Sequence, residues 1–206
     1  MAAMLMGAWS LQSCDNEPTK EVWLDEFGQD SCYVQDWGML EVNRSVVHTP
    51  LTVNGVVYER GLGAHSISRL LYDLDGKAVS ISGLAGADDK NLFAGKLQFK
   101  ILGDKKELWK SGVMQKGDPV KEFNVNLKGV DKVLLLVEEC GDGIMYDHAD
   151  WLNVKITTRG DVKPVPAWAK PVAKEKYILT PPAPESPVIN NPLVYGARPG
   201  NPFLWS

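Results

Sequence analysis

Residues 133–156 read V-L-L-L-V-E-E-C-G-D-G-I-M-Y-D-H-A-D-W-L-N-V-K-I. The apolar run Val133–Val137 has the length and the β-branched content of a buried strand, and Leu152–Ile156 has the same character. A segment between two strands is a loop, and this one, Glu138 to Trp151, is dense in acceptors: Glu138, Glu139, Asp142, Asp147 and Asp150. Like charges brought this close repel. A cation, or a ligand rich in hydroxyl donors, turns that repulsion into affinity. The stretch therefore predicts both a β fold and a site carried by one of its loops.

The same two-residue periodicity extends in both directions. Strands are expected at Val22–Leu24, Leu40–Val47, Ile67–Asp73, Ala78–Ser82, Lys96–Leu102, Glu107–Lys110, Val120–Leu127, Lys132–Glu138 and Leu152–Thr158. A long loop through Trp37-Gly38 separates the first two. L-T-V-N-G-V-V-Y-E, residues 51–59, is a hairpin signal, because Asn54-Gly55 supplies the two positive φ values of a type I′ turn. Asp75-Gly76, Gly103-Asp104 and Lys128-Gly129 carry turn chemistry between other runs. No stretch sustains an apolar period of 3.6. Nine or ten short strands across about 140 residues imply an all-β, antiparallel β-sandwich, most simply a jelly roll.

The chain is 206 residues long, 44% hydrophobic and 9% aromatic, which suffices for a real core. Its net charge is −4 and it has no basic stripe, which argues against nucleic acid as a partner. The three cysteines, Cys14, Cys32 and Cys140, form no CxxC pair, so zinc held by cysteine is unsupported. Residues 1–14 are apolar, uncharged and too short to span a bilayer as a helix. L-Q-S-C at 11–14 resembles a bacterial lipobox, which implies lipidation at Cys14 and a membrane attachment through that anchor alone. Asp15, Asn16 and Glu17 resemble an acidic sorting signal of Bacteroidetes surface lipoproteins. Gln12 and the missing basic n-region depart from that pattern, and a frayed apolar N-terminus is the other reading. The expected address is export, to the cell surface or periplasm of a Gram-negative bacterium. Residues 161–206 hold most of the thirteen prolines, and they read as an extended linker running toward a further domain. The divisions are thus 1–20, 21–160 and 161–206.

Several blocks resemble one family. V-W-L-D at 22–25, V-N-G-V-V-Y-E-R-G-L-G-A-H at 53–65, G-A-D-D at 86–89, L-W-K-S-G-V-M at 108–114 and G-D-G-I-M-Y-D-H-A-D-W at 141–151 run in the order of the NPCBM carbohydrate-binding modules found beside glycoside hydrolases. The resemblance covers about residues 21–159. It implies a galactose-binding-domain-like sandwich, a glycan ligand that contains galactose or a related sugar, and a bound structural calcium. The tail is similar to the junction that precedes an α-galactosidase-like catalytic domain in Bacteroidetes enzymes.

A sugar site needs a flat apolar face for the C–H side of a pyranose and planar polar groups for its hydroxyls. Trp37, Tyr146 and Trp151 are candidate platforms; Arg60, His65, Glu139, Asp142 and His148 are candidate hydrogen-bonding partners. Trp151 opens a strand and equally reads as a core aromatic. His65 follows Gly61-Leu62-Gly63, where the missing side chains permit close approach of backbone or ligand. His148, between Asp147 and Asp150, is expected to favour its protonated form. Asp88-Asp89 is expected to bind calcium, cap a turn or bond to the D-H-A-D-W segment. Asp147 and Asp150 complete a scattered calcium set, since no D-x-D-x-D-G loop is present. Cys32 and Cys140 are either a disulfide or two unpaired thiols, and their spacing does not decide.

Three functions compete at this point. The first is a non-catalytic sugar-binding module, joined to or neighbouring a glycoside hydrolase domain. The second is a structural or protein-interaction spacer. The third is a hydrolase using two carboxylates about 5–10 Å apart, for which Asp142 with Asp147 is the pair on offer.

Overall fold

The computed structural model describes residues 17–27, 32–93, 95–160 and 165–166, without the side chains of 32, 33, 165 and 166. Within them the chain forms fourteen strands and one short 3-10 turn, Leu24–Phe27. One six-stranded antiparallel sheet contains β11 (Lys121–Asn126), β8 (Ala78–Ala87), β13 (His148–Arg159), β6 (Gly61–His65) and β3 (Glu41–Val42) in that order, with β1 (Thr19–Trp23) also paired to β13. The other contains β10 (Lys106–Met114), β9 (Leu97–Gly103), β12 (Lys132–Glu139), β7 (Ser68–Asp73) and β14 (Val165–Pro166), with β2 (Cys32–Gln35) also on β7. The two are the halves of an antiparallel β-sandwich. A separate hairpin, β4 (Leu51–Val53) and β5 (Val56–Tyr58), covers the outer face of the first sheet.

The interior follows from alternation. On β13 the odd positions and on β6 the even ones point inward, so Ala149, Trp151, Leu62 and Ala64 face Tyr72, Phe99, Ile101 and Leu135 of the opposite sheet. Trp151 is fully buried, with Phe99 and Phe123 meeting its ring edge-on at 4.9 and 5.7 Å. The outer face of this sheet holds Leu152 of β13 and Leu84 of β8, which pack with Leu51 and Val53 from the hairpin. That hairpin turns at Asn54-Gly55 with φ of 50° and 77°, the type I′ turn expected.

Three expectations about elements change, and one strand appears where none was expected. Gly61–His65, two glycines in five residues, is a fully buried strand. A Cβ on Gly63 would sit 2.6 Å from the Ser45 Cα and closer still to the Arg44 carbonyl oxygen. Its space is taken by a neighbouring backbone, which is why glycine is needed there. The strand expected at Leu152–Thr158 begins at His148, so D-H-A-D-W lies largely in β13 and the acidic loop spans only 140–147. The strand expected over Leu40–Val47 shortens to Glu41–Val42, because the chain turns at Asn43 and His48, both with positive φ. The turn expected at Gly103-Asp104 is Asp104-Lys105, with Gly103 paired to Lys106 across it.

The chain divides into units Met1–Lys170 and Pro171–Ser206. Val165–Pro166, expected within the linker, adds an edge to β7, a position proline tolerates. Cys14 and the rest of the proline-rich tail lie outside the described residues.

Candidate functional site

In the register of β6 and β13, His65 stands directly opposite His148. Two residues from the two motif blocks thus share one face at one end of the first sheet, their ring centroids 5.5 Å apart. The loop after β2 places Trp37 across both: its ring lies 5.6 Å from His148 at an interplanar angle of 9°, and 5.0 Å from His65 at 51°. Trp37 is 47% exposed, whereas both histidines are buried. The result is a flat, partly open indole backed by two imidazoles.

The histidines are held firmly. Asn91 grips the His148 backbone in both directions, its amide donating to the carbonyl at 3.0 Å and its carbonyl accepting from the N–H at 2.9 Å. The Asp88 N–H donates to the same carbonyl. His65 Nδ1 donates to the Ser66 carbonyl at 2.6 Å, and the Ser66 hydroxyl donates to Asp147. Burial pushes the His65 imidazole down to about 4, against the Ser66 carbonyl and Asp36, which pull the other way. Since Nδ1 carries the proton, Nε2 of the neutral ring is an acceptor. Burial also lowers His148, with Asp88 opposing; the expectation that Asp147 and Asp150 favour its protonated form is therefore overturned by desolvation.

The other expected site residues make none of these ring contacts. Arg60, at the opposite end of β6 and about 16 Å away by strand rise, makes a two-pronged pair with Asp25 and lies over Trp23 at 4.3 Å. Trp151 is core and has no surface to offer a ligand. Glu139 accepts from the Gly141 N–H, and Asp142 from the Lys96 N–H, so both brace the 140–147 loop. Tyr146, half-buried on that loop, meets Phe93 edge-on at 4.9 Å. Cys140 is a free thiol, raised by burial and then by Asp147.

The four carboxylates of the expected metal set separate into different tasks. Asp89 accepts from the Asn54 and Gly55 N–H groups and pins the β4–β5 turn. Asp147 accepts from Ser66 through Oδ2; burial first, then Asp142 and Glu139, push it up to about 6. Asp88 and Asp150 remain as a fully buried pair. Asp88 Oδ2 and both Asp150 oxygens have no hydrogen-bond donor. Burial, and then Asp88, raise Asp150 well above the usual carboxylate range, with a bond between the two that exists only if one carries a proton. Among the described residues no group of three or more His, Cys, Asp and Glu side chains converges as a metal site.

Sequence reasoning missed Asn91, whose clamp on His148 crosses 57 residues, and Leu92-Phe93, an apolar dipeptide in an otherwise polar loop.

The NPCBM/NEW2 domain model matches residues 20–157. Among curated proteins, the chain is similar to an alpha-1,3-galactosidase B of Akkermansia muciniphila, 29% identical over 130 residues, 61% of this chain and 16% of that protein. The chain therefore spans only a small part of such a relative. Among solved structures, it is similar to the CBM51 of a Clostridium perfringens GH95 protein in complex with methyl-galactose, at 25% identity and a TM-score of 0.60, covering 66% of this chain and 99% of that one. It also resembles the structure of the M60 catalytic domain with two CBM51 domains from C. perfringens ZmpB, at 28% identity and a TM-score of 0.62, covering 68% of this chain and 15% of that one.

Proposed function

The chain belongs to the NPCBM/NEW2 domain family, and from that membership we propose that its sandwich is a non-catalytic module that binds a galactose-type sugar on behalf of a glycoside hydrolase domain. The observation that carries the reading is the half-open Trp37 indole stacked on His148 and beside His65. A pyranose laid on the indole buries its C–H face, while a hydroxyl donates to the His65 Nε2 acceptor. The exposed Asp36, whose charge reaches His65, is placed to accept from a second hydroxyl. The methyl-galactose complex of a similar module supports the sugar class. A single site of this size binds weakly, and attachment to an enzyme converts it into local concentration on a polymer.

The test is titration of the chain with methyl-galactose, monitored by calorimetry and by Trp fluorescence. Trp37→Ala is expected to weaken binding about tenfold or more with the thermal midpoint little changed. Unaltered affinity would remove Trp37 from the site. Turnover of an aryl galactoside abolished by Asp142→Asn would replace the module with an enzyme. Silence on a glycan array would favour the spacer.

We extend the same reading to calcium. The orphaned oxygens of Asp88 and Asp150 fit a hard cation, which would take its remaining ligands from backbone oxygens and neutralise two buried charges. Calcium at 100 times its dissociation constant should raise the melting temperature by about 5–10 °C, and Asp150→Asn should erase the effect. Indifference to calcium, together with a midpoint that falls as pH rises, would mean that the pair shares a proton instead. Export and lipid attachment at Cys14 stand as parts of the proposal, supported by the L-Q-S-C stretch.

A further inference from the structure

Beside the Trp37 site lies a second aromatic group that the reading above does not use. The segments 88–95 and 140–147 touch along their backbones: a Cβ on Gly95 would sit 2.7 Å from the Tyr146 carbonyl oxygen and 2.8 Å from that of Met145. The Lys96 N–H donates to Asp142, and the Cys140 N–H to the Lys96 carbonyl, which ties the bases of the two loops together. On this braced base the side chains at the tips are apolar and open to solvent: Leu92 is 72% exposed, Phe93 67% and Met145 73%. Phe93 and Tyr146 face each other at 4.9 Å and 67°. Tyr146 holds that position with φ of 65°, a conformation that costs a side chain of its kind about 1–2 kcal/mol. Large apolar groups gathered in the open on a hydrogen-bonded base, one with a strained backbone, mark a contact surface.

Its place says what it contacts. Tyr146 is two residues from His148, so their Cα atoms are at most about 7.6 Å apart. The group therefore stands at the backbone neighbours of the His148 end of the Trp37 site. The same loop carries the exposed Asp142 carboxylate and begins just after the half-buried Glu139, which suits a partner carrying hydroxyls among apolar faces and disfavours a wholly apolar one. We propose that Phe93 and Tyr146 form a second subsite, which takes the sugar next to the terminal galactose-type residue in a saccharide chain. This rests on the Trp37 site binding the terminal residue. It makes the module a reader of a disaccharide rather than of a single ring.

The experiment compares methyl-galactose with two galactosyl disaccharides, lactose and α-1,3-galactobiose, on the full chain, on Phe93→Ala and on Trp37→Ala. Phe93 is exposed, so its replacement leaves the fold intact. The wild type is expected to bind one of the disaccharides several-fold more tightly than the monosaccharide. Phe93→Ala should lose that gain, by about 2–10-fold, while its affinity for methyl-galactose stays level. Trp37→Ala should weaken all three. Equal affinity for all three sugars in the wild type, or a Phe93→Ala chain that keeps the disaccharide preference, overturns the subsite and leaves the first site standing. A Phe93→Ala change that only converts a dimer to a monomer by sedimentation overturns it in favour of self-association. No saccharide bound by the wild type overturns both readings.

Discussion

The behaviour of His65 with pH is set by where its ring sits. Its folded value of about 4 lies below the ordinary 6.5, so folding favours the neutral ring. That contribution to stability is present above pH 6.5 and is lost as pH falls toward 4. Asp147 runs the other way. Its folded value of about 6 lies above the ordinary 3.8, so its contribution is present below pH 3.8 and lost as pH rises through 6. Between about pH 4 and 6 the two oppose each other. His65→Gln should flatten the acid limb of the stability curve by on the order of 1–3 kcal/mol, as read by urea midpoints at pH 7 and pH 4.5. Asp147→Asn, which still accepts from Ser66, should instead stabilise the protein above pH 6. A proton titration of His65 with a midpoint near 6.5 would contradict the account, since it requires a solvated ring.

At the scale of elements, the site depends on one pairing, β6 against β13. A one-residue slip of β6 against β13 would turn His65 toward the core and Ala64 outward, and so separate the two histidines onto opposite faces. The register is held by glycines that leave room for a neighbour: Gly63 of β6 for the backbone of Arg44 and Ser45, and Gly86 of β8 for the Val53 side chain. Gly63→Ala should cost about 2–3 kcal/mol or more, because the obstruction is backbone and cannot swing aside. Sugar affinity should fall with it, since Asp150 and the histidines share that face. A Gly63→Ala protein with an unchanged melting temperature would show that the segment 43–49 is free to move. The loop expected to run from Glu138 to Trp151 is partly legible in this light. The chain read as polar because the outer pleat of β13 is polar, His148 and Asp150, and not because it leaves the sheet.

For the molecule as a whole, Trp151 joins the two sheets through Phe99 of the opposite sheet, with Phe123 of its own sheet bracing the ring. Trp151→Ala should destabilise the sandwich by about 3–5 kcal/mol, measured by chemical denaturation, and should lower sugar binding only in proportion to the unfolded fraction. A large loss of affinity at full folding would reopen a ligand role that its burial denies. The relatives that share this sandwich are several times longer, and the chain matches about a sixth of one of them. A weak, one-ended binder of the kind proposed above gains avidity from whatever it is joined to.

Alternation, turn residues and the absence of any helical period determined the sandwich and the hairpin at Asn54-Gly55, because these are properties of neighbours along the chain. The motif blocks located the two histidines for the same reason. Only the tertiary structure decided that Trp37 lies over them, that Asp89 serves a turn while Asp88 and Asp150 are left as a buried pair, and that Arg60 and Trp151 belong to an ion pair and to the core. Each of those assignments depends on partners 28 to 111 positions away, and distance along the chain carries no information about which of several acids or rings will meet until the strands are paired.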